Sequence, residues 1–400
     1  MLPRPYRELL AIRPVRAPLA GIVVGRLPVA ALSLATVLLV RHETGSFAVA
    51  GAVEACIGIA MAASMPIQGR LVDRYGQTRI LVPVAAVNPL ALTALVVGAK
   101  GGAAPAALGA IGAVCGASVP ALGACMRTLW RSLVPNEALR LSAFALDAVL
   151  VETAFIVGPL LTAVVVSAAS PAAAVMLNAG LTLTGTGTFA LSRASRRWRG
   201  EPHDGGWAGP MAAPRVALLV GVQVPLGAAI GAMEVATVAF ATQEGSPGVA
   251  GALIAVQAAA SLVGGLWYGA RSHRSSPAER YPWLLLCLAA VFAPLLLVGS
   301  VASAFPLMTL SGFAFAPSGA VVYALIDDLA PPGGATESTS WVTTAIIVGV
   351  AAGNAIAGAV VGGGHAQYGY AAAVAAAGLA ALLALAARPA WRVATEAAGP

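Results

Sequence analysis

The chain has 400 residues, of which 59% are apolar and only 10% are charged, with a formal net charge of +7. Soluble domains carry about 25% charged residues, so a single aqueous core cannot bury this much apolar surface, and a lipid bilayer is the solvent that fits. The composition excludes an ordinary soluble protein, and the basic residues are scattered over loops without the interleaved aromatics of a nucleic-acid-binding surface.

Twelve apolar segments are long enough to cross a bilayer as α-helices, which takes about 20 residues each. The predicted spans are Pro18–Val40, Phe47–Gly69, Ile80–Gly98, Ala103–Met126, Leu141–Val166, Ala172–Leu191, Val216–Phe240, Val249–Gly269, Tyr281–Val301, Phe305–Leu325, Ser340–Val361 and Gly369–Ala387. The first segment is long and no small-residue cleavage site follows it, so we interpret it as a span and not as a removed signal peptide. We therefore predict an all-α integral membrane protein.

Basic residues indicate the orientation of these spans. If the N-terminus lies in the cytoplasm, the loops and termini on that side hold twenty arginines, whereas the outer loops hold only Arg41 and Lys100. Because cytoplasmic loops carry an excess of basic residues, we expect both termini to be cytoplasmic. The alanine-rich and arginine-rich composition suits a GC-rich bacterial genome, hence a bacterial inner membrane. One predicted cytoplasmic loop is acidic instead, since it holds Asp327, Asp328 and Glu337.

The chain also contains an internal repeat. The segment Thr44–Ala52 resembles Glu244–Ala252 at an offset of 200 residues, and later matches keep nearly the same register. We therefore predict two six-helix halves, residues 1–191 and 215–400, joined by a cytoplasmic linker at residues 192–214.

A short charged loop between the second and third predicted spans carries a defined pattern. Its matching positions are Gly69, Asp73, Arg74, Gly76 and Arg79, and Arg70 lies within the same gate segment. The pattern resembles the loop between helices 2 and 3 of major facilitator superfamily transporters, although Gln77 and Thr78 replace the usual basic residues. The resemblance implies a fold of twelve helices in two six-helix pseudo-repeats. We expect Asp73 to accept hydrogen bonds from the N-terminus of helix 11, near Thr336–Ser340, and to act as a conformational latch.

The pair Gly158-Pro159 in the fifth span carries a second resemblance. The drug:proton antiporters of the superfamily have a longer motif of glycines around a Gly-Pro pair at this place, where small residues permit close helix contact. Here the Gly-Pro pair is present, but Ala154, Leu161 and Thr162 replace the other glycines. The resemblance favours export, with plain helix packing as the alternative interpretation.

Five ionisable residues lie within the predicted spans, where burying a charge costs about 3 kcal/mol. They are Arg26, Glu54, Asp147, Glu152 and Glu234. Arg26 and Glu152 fall near the middle of helices 1 and 5, which are neighbours in the superfamily, so we expect them to pair. This pair is either part of a functional site or a permanent structural ion pair.

The other three have different predicted roles. Glu234 lies on helix 7, one of the cavity-lining helices of the superfamily, and is the first candidate for a proton site; Gln223 lies on the same helix, nearer the cytoplasm. The alternative to a proton site is that Glu234 is merely exposed to solvent near the outer mouth of the cavity. The same alternative is stronger for Glu54, which lies closer to the outer surface. We expect Asp147 to serve a gate on the cytoplasmic side. The candidates for its partner are Arg127, Arg131 and Arg140.

The chain lacks nucleotide-binding and hydrolase motifs, and its cysteines and histidines show no metal-ligand spacing. We therefore expect no enzyme activity, no cofactor and no metal, and energy must come from an ion gradient or from the substrate gradient. The predicted function is export of small amphipathic or apolar compounds in exchange for protons, by a monomer in the lipid bilayer without a nucleic-acid partner.

Two alternatives remain open at this stage. One is proton-coupled or facilitated uptake of a sugar or another metabolite, and the other is a receptor or scaffold that keeps the fold without transport. Sugar hydroxyls are costly to leave unpaired, and the cavity helices offer few polar partners for them. These partners are chiefly Ser33, Gln223, Thr237, Ser311 and Ser318.

Overall fold

The computed structural model describes residues 4–134, 136–200, 209–245, 249–361 and 365–397. All regular elements in these ranges are helices, and none of the described residues forms a strand. The α-helices are α1 (Arg4–Ala11), α2 (Arg13–Thr44), α3 (Phe47–Tyr75), α4 (Gln77–Lys100), α5 (Pro105–Ala117), α6 (Leu122–Leu133), α7 (Glu137–Ala168), α8 (Pro171–Ala190), α9 (Arg193–Arg197), α10 (Pro214–Gln243), α11 (Val249–Gly269), α12 (Pro277–Phe292), α13 (Val301–Gly312), α14 (Phe315–Leu329), α15 (Ala335–Val361) and α16 (Ala366–Ala397), with 3₁₀ helices at Gly209–Ala212 and Ala293–Leu297.

In the described part of the chain, eleven helices or helix pairs are long and apolar enough to cross a membrane. The remaining predicted span, Ala172–Leu191, corresponds to α8, which has 20 residues and is less apolar because it contains Asn178 and several threonines. The prediction of an all-α membrane protein is confirmed, and the structure is approximately consistent with twelve spans.

Helix ends lie outside the predicted spans in several places, because hydropathy marks only the apolar part of a helix. The side chains of Ser46, Asn136 and Ser170 accept hydrogen bonds from the backbone N–H three residues later, at the starts of α3, α7 and α8. Such caps satisfy amide groups that have no partner inside the helix. Gly76 separates α3 from α4 with a φ of 90°, a conformation that glycine adopts without strain.

The helices pack into two groups. In the first, α2 packs against α7 and α8, and α3 against α5; in the second, α10 packs against α15 and α16, and α12 against α16. One buried apolar cluster draws on residues from Val216 to Trp391 together with Leu141. Helix α3 meets α15, and α7 meets α11 and α14, so these pairs join the groups. The boundaries at 191 and 215 stay a prediction, and residues 201–208 of the predicted linker lie outside the described residues.

Two of the spans are broken near their middle. The fourth consists of α5 and α6, separated by residues 118–121, and the tenth consists of α13 and α14. The side-chain amide of Gln68 on α3 donates to the carbonyl oxygens of Ala117 at 3.1 Å and Val119 at 2.9 Å. Its oxygen accepts from the N–H of Ala121 at 3.1 Å. Since backbone groups without partners are costly inside a membrane, Gln68 stabilises the break.

Candidate functional site

The loop between α3 and α4 meets the first turn of α15 at one end of the bundle, which we call the basic end because Arg70, Arg131 and Arg140 also lie there. Asp73 accepts hydrogen bonds from the backbone N–H of Thr336 at 3.1 Å and of Glu337 at 2.9 Å. These amides have no partner inside α15, and the helix dipole favours an anion at this position. The structure thus places Asp73 in the predicted contact with the eleventh span, which is α15. The side chain of Asp73 is buried there, since the residue is only 6% exposed.

A second contact at the basic end joins the same two helices. Arg70 donates from Nε to Glu337 Oε2 at 3.0 Å and from NH2 to Oε1 at 2.7 Å, a bidentate pair. A Cβ atom on Gly69 would lie 2.7 Å from the Cα of Glu337, so a residue without a side chain allows α3 and α15 to approach this closely. Arg74 and Arg79 are exposed on the neighbouring turns.

Asp327 forms a third contact between the two groups of helices. Its carboxylate lies 3.5 Å from Arg131 NH1 and 3.5 Å from Arg140 Nε, and its carbonyl oxygen accepts from Arg131 NH1 at 3.0 Å. The sequence showed an acidic loop on an otherwise basic side, but not its partners. Together with the contacts of Asp73 and Arg70, this one closes the basic end of the bundle.

The expected pairing of Arg26 with Glu152 is wrong, because Arg26 binds Asp147 instead. Arg26 NH2 lies 2.6 Å from Asp147 Oδ1, and its NH1 donates to the carbonyl oxygen of Asp147 at 2.9 Å. Arg127 donates from Nε to Asp147 Oδ2 at 3.0 Å, so two arginines share one carboxylate. Glu152 lies five residues further along α7, about 7.5 Å along the helix axis, and its carboxylate turns toward α11.

Tyr323 of α14 completes this buried cluster. Its ring centroid lies 3.4 Å from the guanidinium carbon of Arg127, a cation–π contact between the two groups of helices. Arg26, Arg127 and Asp147 are each less than 10% exposed. Asp147 does lie beside Arg127, one of its three candidate partners, but the cluster is more extensive than the sequence indicated.

Glu152 and Glu234 lie on α7 and α10, which belong to different groups of helices. Glu152 accepts a hydrogen bond from Ser261 Oγ at 3.2 Å. The Ser261 Oγ atom in turn accepts a hydrogen bond at 3.1 Å from the N–H of Ala316, in the first turn of α14. The side chain of Glu234 is exposed. A Cβ atom on Gly231, one turn before Glu234, would lie 2.6 Å from the side-chain oxygen of Asn354. Each carboxylate therefore has polar groups on its own neighbouring helices: Ser261 for Glu152, and Asn354 one turn from Glu234.

Two other predicted site residues are held by local contacts. Glu54 accepts a hydrogen bond from Thr36 Oγ1 at 2.8 Å, which joins α3 to α2. A Cβ atom on Gly158 would lie 3.0 Å from the carbonyl oxygen of Leu27, so α7 and α2 pack closely beside Pro159, which agrees with the alternative interpretation of plain helix packing.

Gln223 does not join the carboxylates. It is fully buried, and its amide donates to the carbonyl oxygen of Leu219 at 3.0 Å and to the hydroxyl of Tyr281 at 2.9 Å. Gln223 therefore belongs to the core formed by α10 and α12, because its position on the helix turns it toward that side. The sequence placed it on the right helix but could not show which face it occupies.

The comparisons with known proteins agree with this architecture. A family model described as Major Facilitator Superfamily matches residues 19–345, whereas no curated protein matches the sequence. A bacterial homologue of the iron transporter ferroportin in an outward-facing state has a similar structure, with a TM-score of 0.75 and 14% identity over 93% of this chain and 98% of that chain.

Two further solved structures are similar. The human organic anion transporter MFSD10 has a TM-score of 0.73 and 16% identity, covering 93% of this chain and 99% of that chain. The E. coli fucose:proton symporter FucP has a TM-score of 0.71 and 13% identity, covering 93% and 98% respectively. These three proteins are named for different substrates, so at such identities the likeness shows the fold alone. The family model covers most of the chain, and this protein therefore belongs to the Major Facilitator Superfamily.

Proposed function

We propose that the protein is a proton-coupled secondary transporter that exports small amphipathic or apolar compounds across a bacterial inner membrane. With the basic end in the cytoplasm, the described conformation is closed to the cytoplasm. The observation that carries the proposal is that each of the two groups of helices carries one carboxylate within a membrane span, Glu152 on α7 and Glu234 on α10.

The pair couples protons to movement in the following way. When the two groups of helices approach each other, like charges on Glu152 and Glu234 repel, and binding of a proton to either carboxylate removes this repulsion. When the groups separate, water reaches the pair and the proton leaves. Glu234 is the exposed member and hence the one that exchanges its proton with the outside, whereas Glu152 is held by Ser261.

The polar side chains counted for sugar uptake support export instead. Thr237, Ser311 and Ser318 are buried and donate to backbone carbonyl oxygens of their own helices. Gln223 is likewise buried in a core. Of the five side chains, Ser33 is the exposed one, which leaves few partners for the hydroxyl groups of a sugar.

The experiment measures uptake of amphipathic compounds into inside-out vesicles under a proton gradient. Glu234→Gln is expected to lose accumulation against a gradient and to keep exchange of bound compound, because Gln mimics the protonated carboxylate. Glu244→Gln is the matched control, since this exposed residue lies at the end of the same helix. Normal accumulation by Glu234→Gln would refute its role in coupling, and proton-driven accumulation of sugars alone by right-side-out vesicles would favour uptake.

A non-transporting receptor is the remaining alternative. Such a protein would bind its ligand without exchanging labelled for unlabelled compound across the vesicle membrane. Exchange by the unmodified protein would exclude it.

A further inference from the structure

We propose that the space between Arg26 and Arg127 binds the anionic head of the transported compound, so that the substrates are amphipathic organic anions. This inference deepens the proposed export function and rests on it.

The charge of the cluster is the first observation. In the described part of the chain, the salt bridges of Arg26 and Arg127 both go to the single carboxylate of Asp147. The side chains of the two arginines are each 8% exposed, and that of Asp147 is 1% exposed. One positive charge is therefore left over in a buried place, which is costly unless a ligand supplies the missing negative charge.

The second observation is that Arg127 has donors to spare. Its Nε binds Asp147, but its NH1 and NH2 make no hydrogen bond with any residue that the structure describes. These two nitrogens form the edge of a guanidinium that binds a carboxylate, sulfonate or phosphate through two parallel hydrogen bonds. Tyr323 stacks on the face of the same group and holds its plane, which leaves this edge for a ligand.

Gly123 provides the space and the access. From residue 121 to residue 130 it is the one partly exposed residue, while the others are buried. A Cβ atom there would make ordinary contacts, 3.5 Å from Arg26 NH2 and 3.7 Å from Arg127 NH1, so both guanidinium groups border the small volume that the missing side chain leaves. An anionic head in this room would contact both arginines.

The site also connects with alternating access. Arg127 lies on α6 and Tyr323 on α14, on opposite sides of the contact that closes the basic end. When the basic end opens, Tyr323 moves away from Arg127 and an anion can enter from the cytoplasm. When the basic end closes, the ring returns and the route back to the cytoplasm is blocked.

The test compares three probes that share an apolar body and differ in their head group: 2-naphthoate, 2-naphthylmethanol and 2-naphthylmethylammonium. Equilibrium binding to the full-length protein is measured in nanodiscs. We expect 2-naphthoate to bind best, and Arg127→Gln to weaken its binding by more than tenfold, as for a lost charge-assisted hydrogen bond. The folded yield of this variant should not fall, because Asp147 keeps Arg26 and the cluster becomes neutral.

Substitutions of Gly123 separate a binding site from a structural ion pair. Gly123→Leu should abolish 2-naphthoate binding by filling the space, whereas Gly123→Ala should fold normally, since its Cβ would make ordinary contacts. Gly180→Leu is the control, because nothing lies within 4 Å of that position. A loss of folded yield in Arg127→Gln with unchanged 2-naphthoate affinity would overturn the proposal.

Other results also decide the matter. Equal binding of the three probes, or tightest binding of the ammonium compound, would overturn the anion site. Displacement of 2-naphthoate by chloride at an equal concentration would also overturn it, because it would assign the space to a halide. If 2-naphthoate binds but no compound is exported under a proton gradient, the proposed function fails and the anion site stands. If cationic compounds are exported and 2-naphthoate does not bind, the anion site fails and the proposed function stands.

Discussion

Replacement of Asp73 by Asn tests the latch at the basic end. The Asp73 carboxylate accepts two hydrogen bonds from α15, each worth about 1.5–3 kcal/mol because the acceptor is charged. Asn keeps one oxygen, so one bond survives in a weaker neutral form, while its NH2 group meets a backbone N–H and repels it. The closed state should lose about 2–4 kcal/mol, which shifts the balance between closed and open forms on the order of 30- to 1000-fold.

The assay follows a buried position behind the latch. Ser340 is 1% exposed and lies beside Gly69, so a cysteine at position 340 should react slowly with a membrane-impermeant thiol reagent applied at the basic end. Asp73→Asn should increase this rate by at least tenfold and nearly abolish transport, with membrane abundance close to normal. Arg74→Gln is the control, since Arg74 is exposed one residue away. Unchanged protection of Cys at 340, or transport at the normal rate, would refute the latch.

Three further substitutions test neighbouring contacts. Gly69→Ala should destabilise the closed state by about 1–3 kcal/mol, because its Cβ would overlap the backbone of α15. Gly58→Ala is the control and should have no effect, since nothing lies within 4 Å of that position. Equal labelling rates of the two variants in the thiol assay would contradict this prediction. Asp147→Asn should lower the free energy of unfolding by about 3–5 kcal/mol, since it leaves two buried arginines without a carboxylate. An unchanged melting temperature would show that Asp147 does not stabilise Arg26 and Arg127. Arg70→Glu should impair transport and the added Glu337→Arg should restore part of it; no recovery in the double variant would show that the ion pair does not join the halves.

The sequence was most informative where a motif defines both the residue and its surroundings. The resemblance carried by Gly69, Asp73 and Gly76 implied a contact between Asp73 and the start of the eleventh span, which is α15, and the described hydrogen bonds have that geometry. The acidic loop with Asp327 and Glu337 was visible as an exception to the positive charge of its side. Its partners were not predictable, because loop composition does not show which arginine approaches.

Side-chain partners inside the membrane were harder to predict. Depth along the helix suggested that Arg26 meets Glu152, but the rotation of α7 about its own axis turns Asp147 toward Arg26. The same uncertainty in rotation explains why Gln223 is in a core. The role of Gln68 was not predicted either, since hydropathy treats the fourth span as one continuous helix and gives no indication of a break that needs a partner.

The most direct test of the proposed function is simultaneous measurement of compound and proton fluxes in proteoliposomes that contain a pH-sensitive dye. A panel of amphipathic compounds with anionic, neutral and cationic heads is added under an imposed proton gradient. We expect at least one of them to move against its concentration gradient while protons move the opposite way, and Glu234→Gln to abolish both fluxes but not exchange. Compound transport without proton movement, or accumulation by Glu234→Gln at the rate of the unmodified protein, would contradict it.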